Sequence, residues 1–223
     1  LPTSTSIQVE FADCKWEHGY EYWGQLVNLV HTPTIDSAFY SCVYSLTQNQ
    51  LPILTSSAGS SKKLIGLTTA CLFGQFAYIS RPFPDLTDYF ISKILTGVVS
   101  TGSFCIFNGI EQLSHPTLCY LFDNVYQILT STKSAINSKN AELNKNCKFI
   151  FTSDSNFMSY GNIPPQLKSF GRPISLLEPN YSKIIETCLT SFGFRETKLL
   201  SPKLTSFFNL IPILSQIKLS FIS

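Results

Sequence analysis

Charge is what this sequence has least of. Only 13% of its 223 residues are Asp, Glu, Lys or Arg, about half the usual share for a globular domain. A free-standing protein ordinarily exposes more, so part of the surface is expected to lie against neighbouring domains. The 16 basic and 14 acidic residues leave a net charge of +2, too little to argue for nucleic acid or an anionic membrane as a partner. Histidine is scarce as well. His18, His31 and His115 do not cluster with cysteines or carboxylates, which argues against a metal site. The 7 cysteines are odd in number and widely spaced, with no C-x-x-C. That is neither a disulfide framework nor a zinc pattern, and reads instead as reduced, mostly buried thiols of a cytosolic protein. Long apolar runs are missing too: the late stretch Phe207–Leu214 is short and holds Pro212, a poor membrane span and a plausible end for a core helix. Leu1-Pro2-Thr3-Ser4-Thr5 has no basic start and does not read as a leader. The single methionine is Met158, so the chain is expected to be a fragment, a processed product or an incomplete gene model.

What is present is core-forming material. Hydrophobic residues make up 44% of the chain, and 18 of them are Phe, ample for one α/β domain and part of another. Residues 1–15 show little pattern. Between Gly19 and Pro33, aromatic and β-branched residues flanked by glycine and proline suggest a short strand or hairpin. Ile35, Phe39, Val43 and Leu46 recur at helical spacing over 34–48. Leu51-Pro52-Ile53-Leu54-Thr55 reads as a buried strand, followed by the small-residue loop Ser56–Ser61 and a helix from Lys62 to about Phe73. Further strands are expected at 76–80, 103–108, 148–154 and 173–177, and further helices at 85–99, 116–129, 181–191 and 198–210. The polar stretch 130–147 reads as a long exposed insertion. Strands alternating with helices argue for a mostly parallel sheet covered on both faces.

A phosphate-binding loop, G-x-x-x-x-G-K-[ST], turns backbone N–H groups toward phosphates, sends its Lys to the β/γ-phosphates and places its hydroxyl on Mg²⁺. In Ser56-Ser57-Ala58-Gly59-Ser60-Ser61-Lys62-Lys63 the two glycine positions are Ser56 and Ser61, the lysine is Lys62, and the metal position is Lys63. Taken alone, such small polar residues between a strand and a helix are more often a plain turn. The third strand, where an Asp for Mg²⁺ and a Glu to activate water would stand, ends in Asn108-Gly109. Asp154 closes the fourth strand, where a polar sensor of the γ-phosphate is expected, and Arg172 lies beyond the proline-containing loop as a candidate arginine finger. Bland readings stand beside these: Asn108 as a turn cap, Asp154 as a helix cap, Arg172 as a surface residue.

The order of these segments resembles the first AAA+ module of the dynein heavy chain motor. Tyr20-Glu21-Tyr22-Trp23-Gly24 and Leu29-Val30-His31-Thr32-Pro33-Thr34-Ile35-Asp36 look like F-E-Y-x-G and L-V-x-T-P-L-T-D. Continuing without a gap, Ser56–Lys63 falls on G-P-A-G-T-G-K-T, and Gly102–Gly109 on G-A-W-G-C-F-D-E. Phe151-Thr152-Ser153-Asp154 matches I-T-M-N, and Gly161–Lys168 the segment with L-P-x-N-L-K. Arg172–Tyr181 and Ser191-Phe192-Gly193-Phe194 are similar to R-P-V-A-M-M-V-P-D-Y and S-x-G-F. The resemblance runs from about Gly19 to Phe208.

It implies a P-loop NTPase of AAA+ type, α/β, with a lead-in over 1–50, the core over 51–180 and the start of a helical region over 181–223. The departures fall where chemistry would be. The family's loop glycines, metal-binding Thr, metal-binding Asp, catalytic Glu and sensor Asn stand here as Ser56, Ser61, Lys63, Asn108, Gly109 and Asp154, while Lys62 and Arg172 keep their type. The expectation is therefore a ring module that is structural or binds ATP or ADP weakly rather than hydrolysing it, with the Mg²⁺ ligands replaced. The alternative is an active ATPase of a microtubule-based motor in which Glu111 supplies the missing carboxylate; a third reading is a decaying gene product. The partners implied are neighbouring AAA+ modules of the same heavy chain and other dynein subunits, with microtubules reached only through other parts of the chain. The location implied is cytoplasmic and cytoskeletal, a cilium or axoneme included.

Overall fold

A computed structural model describes residues 7–11, 14–24, 29–57, 59–130, 144, 146–155 and 164–220. The chain separates into two compact units, one of Leu1–Leu29 and Ile35–Leu177, the other of Val30–Thr34 and Glu178–Ser223. In chain order the elements are β1 (Gln8–Phe11), β2 (Cys14–Glu17), α1 (Pro33–Thr47), β3 (Leu51–Thr55), α2 (Lys62–Leu72), β4 (Ala77–Ser80), α3 (Asp88–Thr101), β5 (Phe104–Asn108), a 3₁₀ turn (Ile110–Gln112), α4 (His115–Thr130), β6 (Lys148–Ser153), α5 (Pro165–Phe170), β7 (Gly171–Ser175), α6 (Tyr181–Ser191) and α7 (Thr197–Ser220).

The first unit is built on a five-stranded sheet in the order β4-β5-β6-β3-β7, every neighbouring pair parallel. Period-2 alternation divides its side chains between two cores. Leu51, Ile53, Cys105, Phe107, Phe149 and Phe151 face α3, α4 and α5. Leu54, Phe104, Ile106, Ile150 and Ile174 face α1 and α2. Burial on both faces is why β3 and β6 read as continuous apolar runs. Pro52 is tolerated within β3 because β3–β6 pairing starts one residue later, at Ile53 opposite Phe151. The α/β class and the parallel sheet agree with the sequence reading.

Several local expectations do not hold. The patternless lead-in contains an antiparallel hairpin, β1 with β2, Val9 opposite Trp16. Its apolar face packs on the α1/α2 core, with Trp16 against Phe73 at 4.0 Å between ring centroids. No strand forms in the described part of 19–33; residues 25–28 lie outside the described residues. Gly19 and Glu21 instead donate their N–H groups to the carbonyls of Phe73 and Gly74, both at 2.9 Å, so this segment crosses the end of α2. The loop expected around Pro164 and Pro165 contains α5, because proline is pre-organised for a first helical turn. Most of the expected 130–147 insertion lies outside the described residues.

The second unit is a helical pair. Asn180 caps α6 by accepting from the Lys183 N–H at 3.2 Å, and Gly193 ends it at φ +83°. Ser201 on α7 donates to the Ser182 carbonyl of α6 at 2.7 Å, and Tyr181 stacks on Phe208. Helix α7 continues past Leu210, the end expected for it, and through Pro212. Phe207, Leu210 and Ile211 are exposed, so this stretch is not the core helix end that its apolarity suggested.

Candidate functional site

Three strands of the parallel sheet end at the same edge, and each delivers one part of the constellation singled out above. β3 delivers the loop, β5 delivers Asn108 and Gly109, and β6 delivers Asp154. The carboxyl edge of such a sheet is where α/β folds gather ligand-binding groups.

The loop folds on itself. Ser56 is buried, its hydroxyl hydrogen-bonded to that of Ser60; Ser60 Oγ also donates to the Ser57 carbonyl at 2.9 Å. Lys62 Nζ bridges the loop, donating to the Ser56 carbonyl at 2.5 Å and the Ser57 carbonyl at 3.1 Å. Gly59 takes φ +83° with open space around its missing Cβ; Ala58 lies outside the described residues. Ser61 stands immediately before α2 at φ +64°, ψ +16°, left-handed, and its side chain makes no capping hydrogen bond. A non-glycine residue there carries strain of roughly 1 kcal/mol or more. Ser61→Gly is therefore expected to stabilise the chain by about 1 kcal/mol, measured by urea unfolding; a loss of stability would show that the turn is not strained.

Burial pushes the Lys62 ammonium below the ordinary lysine range, and the carboxylates of Asp154 and Glu111 oppose that shift. Glu111 lies in the 3₁₀ turn after β5, and its Oε2 accepts the Asp154 N–H at 3.3 Å. Asp154 Oδ1 in turn accepts the Ser155 N–H at 2.8 Å. Asn108 sits opposite Thr152 in the β5–β6 register, and its Oδ1 already accepts the Thr152 hydroxyl at 2.9 Å. Gly109 donates its N–H to Thr152, to the carbonyl at 3.0 Å and to Oγ1 at 3.1 Å. Its φ is +94°, and a Cβ built on it would lie 3.3 Å from Glu111 Oε1.

The structure thus brings Ser56–Lys63, Asn108, Gly109, Glu111 and Asp154 to one edge. It does not bring Arg172 there. Arg172 pairs with Pro52, near the start of β3, and its guanidinium lies over the Tyr44 ring, 5.3 Å from the centroid. The link between Glu111 and Asp154 was not expected from sequence, where Glu111 was only the carboxylate nearest to Gly109. The signal that could have found it is the strand register, which sets the turn after β5 beside the end of β6.

Lysine on a glycine-containing loop at the start of a helix, beside the ends of parallel strands, is the arrangement of a P-loop NTPase of AAA+ type. A family model described as the hydrolytic ATP-binding site of the dynein motor region matches residues 18–218. The chain belongs to this dynein motor family. It is similar to dynein heavy chain-like protein 2 of Plasmodium falciparum (isolate 3D7), 26% identical over 209 residues that cover 92% of this chain and 4% of that protein. It is also similar to cytoplasmic dynein 2 heavy chain 1 of Homo sapiens, 25% identical with 91% and 5% covered. Dynein axonemal heavy chain 1 of Homo sapiens is 24% identical with 93% and 5% covered. The chain therefore spans only 4–5% of the length of these curated dynein relatives. At about 25% identity over nine-tenths of its length it is a divergent dynein AAA+ module.

Proposed function

We propose that this chain is a ring module of a dynein-type motor that holds a nucleotide on Ser56–Lys63 without hydrolysing it efficiently. The observation that carries this reading is the end of β5. Asn108 is uncharged and engaged by Thr152, and Gly109 has no side chain to orient water. The residues do not fit Mg²⁺. The position after Lys62 is a second cation, Lys63, rather than a hydroxyl. Within the site, Lys62 would hold phosphate and Asp154 would stand as its polar neighbour. Arg172 is a finger candidate for an adjacent module, for which it would have to leave Tyr44.

The module would pack against neighbouring AAA+ modules of the same heavy chain. Exposed apolar side chains on each unit, Tyr89 on the first and Phe192 and Phe207 on the second, support the reading that both units are partly covered in the whole protein. Other dynein subunits are further partners, and microtubules would be reached only through parts of the heavy chain beyond these residues. The location proposed is the cytoskeleton, in the cytoplasm or an axoneme, as the names of the relatives suggest.

Steady-state Mg²⁺–ATP turnover tests the reading. The expected rate is below about 0.01 s⁻¹, against a typical enzyme's ~10 s⁻¹; a higher Mg²⁺-dependent rate overturns it. A second reading, an ATPase that uses Glu111, draws support from the place of that side chain, whose Oε1 lies 3.3 Å from where a Gly109 Cβ would sit. It requires such a rate and its loss in Glu111→Gln.

A further inference from the structure

We propose that the open edge of β4 docks an extended segment of a partner polypeptide, apolar at alternate positions and carrying a carboxylate, as an added strand of the sheet. The docking site is the flank of the sheet, not the strand ends that carry Ser56–Lys63.

β4 is the outermost strand of its sheet. It pairs with β5 along one side, from Ala77 opposite Phe104 to Ser80 opposite Phe107. Among the described residues no strand pairs with its other side. The Phe104 N–H donates to the Phe76 carbonyl at 2.8 Å. Strand alternation then turns the backbone groups of Tyr78 toward β5 and those of Ala77 and Ile79 outward. Outward N–H and C=O groups on an edge are a template for another strand. Sheets ordinarily blunt such an edge with a charge, a proline or a bulge. Ala77-Tyr78-Ile79-Ser80 has no charge and no proline, and its register with β5 runs unbroken.

The surroundings of the edge define what the added strand carries. Phe76 and Tyr78, with Lys93, Ile94, Gly97 and Val98 of α3, line a groove of about 380 Å³, the size of a ligand cleft. The two aromatic side chains are exposed. Gly97 sits inside α3, where glycine costs stability relative to alanine. A Cβ built on it would meet nothing within 4 Å, so no described neighbour accounts for the glycine. Its bare backbone leaves room for an apolar side chain of the added strand. The charge that lines the groove is positive: Lys93, whose ammonium lies over the Tyr89 ring, 5.4 Å from the centroid. Among the described residues Lys93 makes no ion pair, and Arg81 directly follows β4. A carboxylate on the partner complements these cations. A second copy of this chain does not, since pairing edge to edge would gather Lys93 and Arg81 of both copies along one seam.

Fluorescence anisotropy of the full chain with a labelled, blocked peptide tests this, the peptide alternating valine and glutamate about a central phenylalanine. Saturable binding below about 1 mM is expected. Methylating one alternate set of the peptide's amides should weaken binding by about tenfold or more, and methylating the other set should not, because only one set faces β4. Lys93→Gln should weaken binding by about threefold, the scale of an exposed ion pair. Gly97→Leu fills the groove and should abolish binding while the melting temperature holds or rises, since leucine is the better helix former and the space is open. The methylated peptides test the strand pairing on the unaltered chain. No saturable binding, equal binding of both methylated peptides, or unchanged binding in Gly97→Leu overturns the proposal. A dimer of the free chain that Gly97→Leu dissolves would give the edge to a second copy and overturns it as well.

Discussion

Replacing Lys62 by Ala should weaken ADP binding by between about tenfold and a hundredfold, the range for losing a hydrogen bond to a charged group. Among the described loop residues, Lys62 is the cation hydrogen-bonded within the loop. Its hydrogen bonds go to the carbonyls of Ser56 and Ser57, on its own loop. The fold of the sheet should therefore survive: the far-UV circular dichroism is expected to be unchanged and the melting temperature to fall by only a few degrees. Lys62→Arg keeps the charge and should recover part of the affinity. ADP affinity unchanged in Lys62→Ala would remove the loop from consideration as a phosphate site.

Phe151→Ala should cost about 3–5 kcal/mol of folding stability. Phe151 is fully buried at the centre of β6. Its ring stacks on Phe107 of β5 at 5.1 Å and meets Phe122 of α4 at 5.2 Å. Truncation would leave a void between the sheet and α4 that neighbours on two different elements cannot collapse to fill. Domains of this size are stable by roughly 5–15 kcal/mol, so about a fifth of the total or more is at stake. The effect should also reach the site. The Phe107–Phe151 stack holds β5 and β6 in the register that sets Asn108 against Thr152 and the Glu111 turn beside Asp154. Urea unfolding measures the first effect, and a loss below about 1 kcal/mol would contradict this account of the core.

The parallel sheet was legible because its strands are short apolar runs between glycine, proline and polar breaks, and both faces of β3 and β6 are covered. The β1–β2 hairpin was missed although Gln8-Val9-Glu10-Phe11 alternates; four-residue strands give too few periods to stand out. Helix α5 was hidden by Pro164 before it and Pro165 at its start, which were read as breakers although proline also starts helices. The end set at Leu210 for the last helix failed for the related reason that α7 accommodates Pro212 within its length.

At the site, the sequence order was enough to bring Ser56–Lys63, Asn108, Gly109 and Asp154 together, since each follows a strand of one parallel sheet. The hydrogen bonds were not legible. Thr152 takes Asn108, Glu111 holds Asp154, and Tyr44 holds Arg172 through contacts between residues dozens of positions apart. No local pattern encodes such pairs.

The turn at Gly109 limits what this position can accept. With φ at +94° and Glu111 Oε1 3.3 Å from where a Cβ would sit, this backbone has settled into a shape that only glycine occupies without strain. A carboxylate introduced at 109 would set a side chain into that shape and crowd a second negative group. Accommodating it calls for a rebuilt turn, with Ile110–Gln112 and the Thr152 contacts changing together.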